Sequence, residues 1–162
     1  MFKLVACVDR YGALGYNNDL IFNIKEDMEL FKKLTMGNVV VMGANTWHSL
    51  PERFRPLPGR DNVVLTTSGN SLDGAKAYRN IDRMIRDLES SEKEVWLIGG
   101  AHLYNTFLHD YMEYVDEIHL TEVKQAANKA DTYLDLGCIV NHYDKETVYE
   151  NGLFQYNIYK RK

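Results

Sequence analysis

The chain has 162 residues, of which 45% are hydrophobic and 26% are charged, and its formal net charge is -4. This length is typical of one domain with a sizeable core, so we expect a single domain over residues 1–162. The scattered basic residues form no stripe for nucleic acid, and no apolar run is long enough to span a bilayer. The composition therefore argues against nucleic-acid and membrane partners and favours a small-molecule ligand.

The first residues and the two cysteines indicate the compartment. The opening stretch MFKLVACVDR reaches charged residues too soon for a secretion signal. Cys7 and Cys138 stand in no CxxC or Cys/His spacing, so we expect reduced thiols and no metal site. Both observations predict a cytoplasmic protein. Because no exposed apolar pattern demands a partner, we also expect a monomer.

Strand-like and helix-like segments alternate along the chain. Short runs rich in β-branched residues predict strands at 2–8, 38–43, 62–67, 95–100, 117–123 and 154–160. Apolar periodicity predicts helices over Lys25–Thr35, for a short turn from Ala44, over Ile81–Glu89 and over 101–109. Continuously apolar strands such as 39–42 and 95–98 are typical of a sheet that is covered on both faces. The expected fold is α/β, with a largely parallel central sheet and flanking helices.

The C-terminal segment has a different pattern. YDKETVYENGLFQYNIYKRK contains two alternating strands around Asn151-Gly152, a strong signal for a hairpin. We therefore expect an antiparallel hairpin at one edge of the parallel sheet.

One acid in the first predicted helix is out of place. Ile24, Met28, Phe31 and Leu34 form a single apolar stripe at helical spacing, and Asp27 lies on that stripe. A carboxylate on a core-facing position is costly unless something pairs with it. Two explanations stay open at this point, namely favourable placement at the positive helix N-terminus and a functional role.

Two strand-to-helix junctions contain glycine, one at Gly43 and one at Gly99-Gly100. Bare N–H groups and a helix N-terminus at such a junction suit a phosphate, and Thr46 could add a hydroxyl. Each junction alone is more often simple geometry. Two of them in one small domain, with a third strand that ends in LTTS, favour a ligand with several phosphates, such as a dinucleotide.

Together these motifs resemble the dihydrofolate reductase family over essentially the whole chain. The stretches VDRYGALGYNN, EDMELFKKLT, VVMGANTW, PLPGRDNVVLT, VWLIGGAHLY, IHLTEV and ADTYL occur in the family's order and spacing. The resemblance implies a dihydrofolate reductase-like fold and NADPH as cofactor. It also implies reduction of 7,8-dihydrofolate to 5,6,7,8-tetrahydrofolate, with antifolate inhibitors as further ligands.

The resemblance assigns roles in the pterin pocket. Asp27 becomes the acid that binds the pterin, with a pKa that burial should raise, and Thr121 its hydrogen-bonding partner. Arg60 would bind the carboxylate of the glutamate tail. The pocket walls carried over from the family are Val5, Cys7, Leu20, Phe22, Met28, Phe31, Leu50 and Ile98.

The resemblance also assigns a cofactor site, with a cis peptide bond between Gly99 and Gly100. The segment 12–23 would be the mobile loop that closes over the nicotinamide. Cofactor contacts are expected at Cys7, Leu14, Gly43, Ala44, Asn45, Thr46, Leu65, Thr66, Thr67, Arg79, Ile98, Gly99, Gly100, Ala101, His102, Leu103, Tyr104 and Thr132, with Ser68 near the adenosine end.

Three features depart from the family pattern. Ile21-Phe22 stands where Pro-Trp is usual, so an indole N–H near the acid is missing. Lys25 replaces a helix-starting proline. Ala44 and His102 occupy positions at which many members carry arginine or lysine against the cofactor phosphates.

Two other functions stay open on the sequence. One is a pyrimidine reductase of riboflavin synthesis on the same fold, against which PLPGR and the helix acid argue. The other is a catalytically silent pterin-binding or scaffold protein, to which the missing tryptophan gives some support.

Overall fold

The computed structural model describes residues 1–17, 19–68 and 72–162. The strands formed by these residues are β1 (Phe2–Asp9), β2 (Ala13–Tyr16), β3 (Asp19–Leu20), β4 (Val39–Gly43), β5 (Asp61–Leu65), β6 (Ala75–Tyr78), β7 (Val95–Gly99), β8 (Val115–Val123), β9 (Thr132–Tyr133), β10 (Tyr143–Glu150) and β11 (Phe154–Arg161). The helices are α1 (Lys25–Thr35), α2 (Ala44–Ser49), α3 (Ile81–Glu89), α4 (Ala101–Asp110) and α5 (Leu136–His142), with 3-10 turns at Glu52–Phe54 and Met112–Tyr114.

The main sheet has the order β10-β11-β8-β1-β7-β4-β5-β6. Neighbouring strands from β8 to β6 pair in parallel. Strand β11 runs antiparallel to both β8 and β10, and β10 and β11 form the hairpin predicted around Asn151-Gly152. The predicted α/β class with an antiparallel C-terminal edge is confirmed.

Helix boundaries follow the sequence pattern closely. Helices α1 and α3 have the predicted bounds, and α4 extends one residue beyond the predicted 101–109. Helix α5 was not predicted, although Asp135 caps it by accepting a hydrogen bond from the Cys138 N–H at 3.1 Å. The small sheet β3-β2-β9 was also missed, because strands of two to four residues carry too little alternation to be recognised.

The two faces of the main sheet support two apolar clusters of unequal size. The larger cluster includes Leu4 and Val8 of β1 and takes in residues of α3 and α4. The smaller cluster includes Met42 of β4 and Trp47 of α2, with Phe31 of α1 packed against it. The face that carries α1 and α2 is thus the more sparsely filled one, and it is where the candidate site lies.

The segment 12–23, expected to be a mobile loop, contains an antiparallel pair in the structure. Gly15 pairs with Leu20, and Tyr16 with Asp19. Asn18, which follows Asn17 in the sequence, lies outside the described residues. The proposed closing motion stays a prediction.

Two predicted absences concern the membrane and metals. In the described part of the chain, no helix combines the length and the apolar character that crossing a bilayer requires. Both Cys7 and Cys138 are free thiols. Residues 1–17, 19–68 and 72–162 contain no cluster of His, Cys, Asp and Glu side chains suited to a metal ion.

Candidate functional site

Asp27 is half-buried and points to neighbouring strands of the main sheet. Thr121 of β8 donates a 2.6 Å hydrogen bond from its hydroxyl to Asp27 Oδ1. The Cys7 thiol of β1 lies beside the same carboxylate, as the register partner of Thr121. Burial raises the pKa of Asp27, while the Thr121 hydrogen bond acts in the opposite direction. The expected rise in pKa is confirmed in direction, and the structure brings Asp27 and Thr121 together.

Strand register explains why Cys7 and Thr121 lie side by side near one acid. Cys7 and Thr121 are partners in the parallel pairing of β1 and β8, so their side chains emerge side by side. Leu4 and Val8 of β1 and Leu120 of β8 belong to the larger apolar cluster on the opposite face. Alternation therefore points Cys7 and Thr121 toward α1.

The apolar stripe of α1 faces open space as well as protein. Met28 is 58% exposed, whereas Ile24, Phe31 and Leu34 are half-buried. A surface cavity of about 530 Å³ borders Met28 along the outer side of α1. The stripe of α1 is thus incompletely covered by protein, and a role for this apolar face in binding a flat ligand stays a prediction.

The two glycine junctions meet at one place. Gly43 precedes α2 and Gly100 precedes α4, and neither helix N-terminus is capped by a side chain. In the pairing of β4 with β7, Met42 lies opposite Gly99. The peptide bond between Gly99 and Gly100 is cis, as expected from the resemblance.

Gly99 has a backbone conformation that favours glycine, and a Cβ atom there would make ordinary contacts with two neighbouring side chains. Its φ is +130°, and a Cβ atom there would lie 3.4 Å from the Tyr104 hydroxyl. The same atom would lie 3.6 Å from Thr46 Oγ1, which is also 3.6 Å from the corresponding position on Gly100. Thr46 therefore borders the glycine pair, as predicted from the VVMGANTW stretch.

Tyr104 links α4 to the strand that carries Cys7. Its hydroxyl donates a 2.6 Å hydrogen bond to the Val5 carbonyl, and burial raises the pKa of this phenol. Leu103 and Tyr104 are 3% and 4% exposed and pack in the larger cluster. Both side chains support the Gly99-Gly100 junction from the buried side of α4, and direct cofactor contacts by Leu103 and Tyr104 stay predictions.

The PLPGR loop presents Arg60 beside the far end of α1. The guanidinium donates to the Pro58 carbonyl at 3.0 Å and to Thr35 Oγ1 at 3.2 Å. Burial lowers the pKa of Arg60. Among the ion pairs formed by described residues, none includes this guanidinium. Arg60 is therefore positioned and unpaired, as a carboxylate-binding arginine would be.

Sequence reasoning missed the residue that shapes this loop, Asn62. Its side chain is buried and accepts from the Leu57 N–H at 2.8 Å. It also donates to the carbonyls of Leu57 and Arg60, both at 3.0 Å. A polar residue at the start of the apolar strand DNVVL was the available signal.

The predicted adenosine end lies beyond β5 and β6. The Thr66 N–H donates to the Tyr78 carbonyl at 2.8 Å, and Arg79 donates to the Thr67 carbonyl at 3.3 Å. Ser68 follows, its N–H bonded to Thr66 Oγ1 at 3.1 Å. Arg79 and the hydroxyls of LTTS thus share one end of the sheet.

The remaining residues predicted to contact a ligand lie around α2 and the small sheet β3-β2-β9, and next to the other parts of the site. A cavity of about 390 Å³ is bordered by Asn45 of α2 and by the β2-β3 segment. Leu20 in β3 is 75% exposed, and Thr132 in β9 pairs with Gly15. The structure gives these residues no contact with Asp27, and their ligand contacts stay predictions. The other predicted residues lie in or next to the strands and helices that form the site. Leu14 is buried and His102 is exposed. The half-buried residues are Phe22, Ala44, Leu50, Leu65, Ile98 and Ala101.

Comparison with known proteins identifies the family. A family model described as "Dihydrofolate reductase" matches residues 1–147. "Dihydrofolate reductase type 8" of Escherichia coli is 34% identical over 160 residues, which cover 93% of this chain and 90% of that protein. Dihydrofolate reductase of Mycobacterium leprae is 42% identical over 98 residues, or 60% of this chain, and the match spans 59% of that relative's length.

A solved structure has the same fold. Dihydrofolate reductase from Enterococcus faecalis, in complex with NADP(H) and RAB-propyl, superimposes with a TM-score of 0.83. The match covers 100% of this chain and 96% of that one, at 20% sequence identity. At this identity, the likeness is evidence for the fold.

Proposed function

This chain belongs to the dihydrofolate reductase family, and on that premise we propose that it reduces 7,8-dihydrofolate to 5,6,7,8-tetrahydrofolate with NADPH. The observation that carries the proposal is the half-buried Asp27, which accepts a hydrogen bond from the Thr121 hydroxyl and forms no ion pair with any residue that the structure describes. Such a carboxylate keeps acceptor capacity for a ligand.

Asp27 would orient the pterin by accepting hydrogen bonds. A carboxylate offers about four lone-pair sites, and Thr121 uses one of them. The remainder can accept the ring amide and amino N–H groups of the pterin. Holding the ring in this way favours protonation of its imine nitrogen, the acid half of the reduction.

The glycine junctions fit a pyrophosphate-containing cofactor. Gly99 allows close approach of the backbone, and the uncapped N-terminus of α4 offers N–H groups to an anion. Gly43, Thr46, Gly99 and Gly100 would hold NADPH, which when bound supplies the hydride. Ala44 and His102 would flank its phosphates, and Arg79 with Thr66, Thr67 and Ser68 would lie toward the adenosine.

Arg60 would bind the glutamate tail of the substrate. The guanidinium already donates through Nε and one terminal nitrogen, and the fork retains further N–H groups for a carboxylate. The apolar residues between Asp27 and Arg60, Phe31 foremost, would contact the rings that connect the pterin to the tail.

We also propose that the chain acts as one domain and as a monomer in the cytoplasm. Both apolar clusters pack on the same sheet, which supports a single folding unit. Analytical ultracentrifugation at working concentration tests the monomer, and sedimentation as a dimer would overturn it.

The test of the activity is direct. Purified chain is mixed with dihydrofolate and NADPH while nicotinamide absorbance is followed, with Asp27→Asn as the matched control. We expect oxidation of NADPH that requires dihydrofolate and is greatly reduced in the variant. The absence of dihydrofolate-dependent oxidation would overturn the proposal. Turnover of a pyrimidine substrate of riboflavin synthesis instead would select that alternative, which no feature of the site favours.

A further inference from the structure

His119 is a buried titratable side chain on the same face of β8 as Thr121. It is 5% exposed, and one position separates the two residues, so strand alternation places both side chains on the face that carries α1. Its partners in the strand register are Val5 of β1 and Ile158 of β11, which are both apolar. The candidate site makes no use of this histidine.

Each ring nitrogen of His119 has one side-chain partner. Nε2 lies 2.8 Å from Glu117 Oε1, and Nδ1 lies 2.5 Å from the Tyr156 hydroxyl. A carboxylate can only accept hydrogen bonds, so the hydrogen of a neutral ring belongs on Nε2. Nδ1 is then an acceptor, and the Tyr156 hydroxyl donates to it. The two contacts therefore fit one tautomer of a neutral imidazole, which links β8 to β11.

Groups from two further strands surround this ring. Lys3 of β1 forms ion pairs with Glu94 at 2.8 Å and with Glu117 at 3.7 Å. Trp96 of β7 packs edge-on against the His119 ring, with 4.9 Å between the ring centroids, and its indole N–H donates to Glu94 at 3.3 Å. Because Glu117 is already paired with Lys3, its charge is partly compensated before His119 gains a proton.

Protonation of His119 would disturb the contact at Nδ1. The added hydrogen would point at the Tyr156 oxygen, so the hydroxyl would have to turn its own hydrogen away. Among the described residues, that hydroxyl forms no other hydrogen bond. Burial lowers the pKa of His119, and the adjacent Glu117 acts in the opposite direction. On β11, the charged residue on the same face is Lys160, the register partner of Glu117, and it is exposed.

We propose that His119 is a pH-sensitive link between β8 and β11: the neutral ring joins Glu117 to Tyr156, and protonation in mild acid breaks the Tyr156 contact and weakens this edge of the sheet. Near the ordinary histidine pKa of about 6.5, the unfolded state then binds more protons than the folded state. The stability contributed by His119 is therefore fully present above that pH and is lost as pH falls through the lower folded pKa. The inference does not depend on the proposed function, because its test needs no ligand.

The first measurement is an NMR titration of the histidine rings in the ligand-free chain. Long-range proton–nitrogen spectra at pH 7.5 should show His119 as the neutral Nε2–H tautomer, with a titration midpoint below the ordinary value. His119→Gln assigns the signal. Glu117→Gln should lower the midpoint further, because it removes the adjacent anion. A charged ring at pH 7.5, or the Nδ1–H tautomer, would overturn the proposal.

The second measurement is urea unfolding at pH 7.5 and at pH 5.5. The free energy of unfolding of the wild type should fall between these values, and it should fall less in His119→Gln, which keeps an N–H donor but does not titrate. His142→Gln is the matched control and should retain the wild-type loss, since His142 is exposed on α5 and bonds to the Cys138 carbonyl. Equal losses in His119→Gln and wild type contradict the proposal. If His119→Gln fails to fold, the Glu117→Gln titration decides, and an unchanged or higher His119 midpoint refutes the link.

Discussion

The Thr121 hydroxyl donates a 2.6 Å hydrogen bond to Asp27 across 94 positions of sequence. This contact joins the first turn of α1 to a central strand, and it fixes one oxygen of the carboxylate. The hydrogen bond thereby sets the orientation of the free lone pairs of Asp27, and the activity expected of the site depends on that orientation.

Asp27→Asn should keep the fold and lose turnover. The amide has nearly the same shape but cannot favour protonation of the pterin, so we expect kcat at pH 7 to fall by about 10²- to 10⁴-fold. Activity should recover partly in acid, where the substrate arrives already protonated. Steady-state rates from pH 5 to 8 check this, and near-normal turnover at pH 7 would contradict it.

The same substitution should stabilise the folded chain at neutral pH. Burial raises the pKa of Asp27 in the folded state, so the folded state binds this proton more tightly than the unfolded state does. The contribution of Asp27 to the free energy of unfolding is therefore fully present below the unfolded pKa of about 3.9 and is lost as pH rises through the folded pKa. Asp27→Asn removes this pH-dependent loss. Urea unfolding should give a larger free energy for the variant at pH 7, and the difference should shrink toward pH 4.

Arg60→Leu should weaken substrate binding selectively. Loss of a charge-assisted pair costs about 1.5 to 3 kcal/mol, so KM for dihydrofolate should rise roughly 10- to 150-fold. KM for NADPH should change little. Arg53→Leu, an exposed arginine in the neighbouring 3-10 turn, is the matched control. An equal effect of Arg60→Leu on both substrates would make the arginine structural.

Asn62→Ala should disturb the conformation of the loop that carries Arg60, because the Asn62 side chain forms hydrogen bonds with the backbone of that loop. It leaves the Leu57 N–H and carbonyl, and the Arg60 carbonyl, without their partner. Buried unpaired groups cost about 1 to 3 kcal/mol each, so the loss of three partners should lower the free energy of unfolding by at least about 3 kcal/mol. KM for dihydrofolate should rise as well.

Asn80→Ala is the control for that prediction, because Asn80 caps α3 by accepting from the Arg83 N–H at 3.0 Å. Its loss should cost about 1 kcal/mol without changing KM. If Asn62→Ala destabilises the chain but leaves KM unchanged, the loop does not need Asn62 to present Arg60.

The preference for NADPH over NADH should be present but modest. Ala44 carries no charge at one of the positions expected to flank the cofactor phosphates. Neutral hydroxyls at Thr66 and Thr67, together with Arg79, would supply most of the discrimination. Ala44→Arg should increase the NADPH/NADH ratio of kcat/KM.

Both cofactors are compared in the wild type and in Ala44→Arg. An unchanged ratio in Ala44→Arg would contradict this account of the phosphate site. So would wild-type discrimination above about four orders of magnitude, roughly 5.5 kcal/mol.

What the sequence could predict depended on how local the determining contacts are. The apolar period of α1 and the cap of α3 lie within a few residues, so both helices were predicted to the residue. Strands β2, β3 and β9 exist only through pairing with one another, and no single one is long enough to show a period.

The candidate site shows the same division. Asp27 was conspicuous in its own helix, but its link to Thr121 came only through the family resemblance, since no pattern connects residues 94 positions apart. Asn62 and Thr35 were missed because each acts on a backbone group or side chain whose position is set by the folded loop.

Helix α1 carries Asp27 in its first turn and, at its last residue, Thr35, which holds Arg60. The two positions are eight residues apart, which at 1.5 Å per residue is about 12 Å along the axis. The length of the helix thus sets the distance between a hydrogen-bond acceptor for one end of a ligand and a cation for the other. The site therefore selects a ligand by the separation of its two polar ends. A ligand with the right head but a tail of the wrong length can bind only one of the two residues.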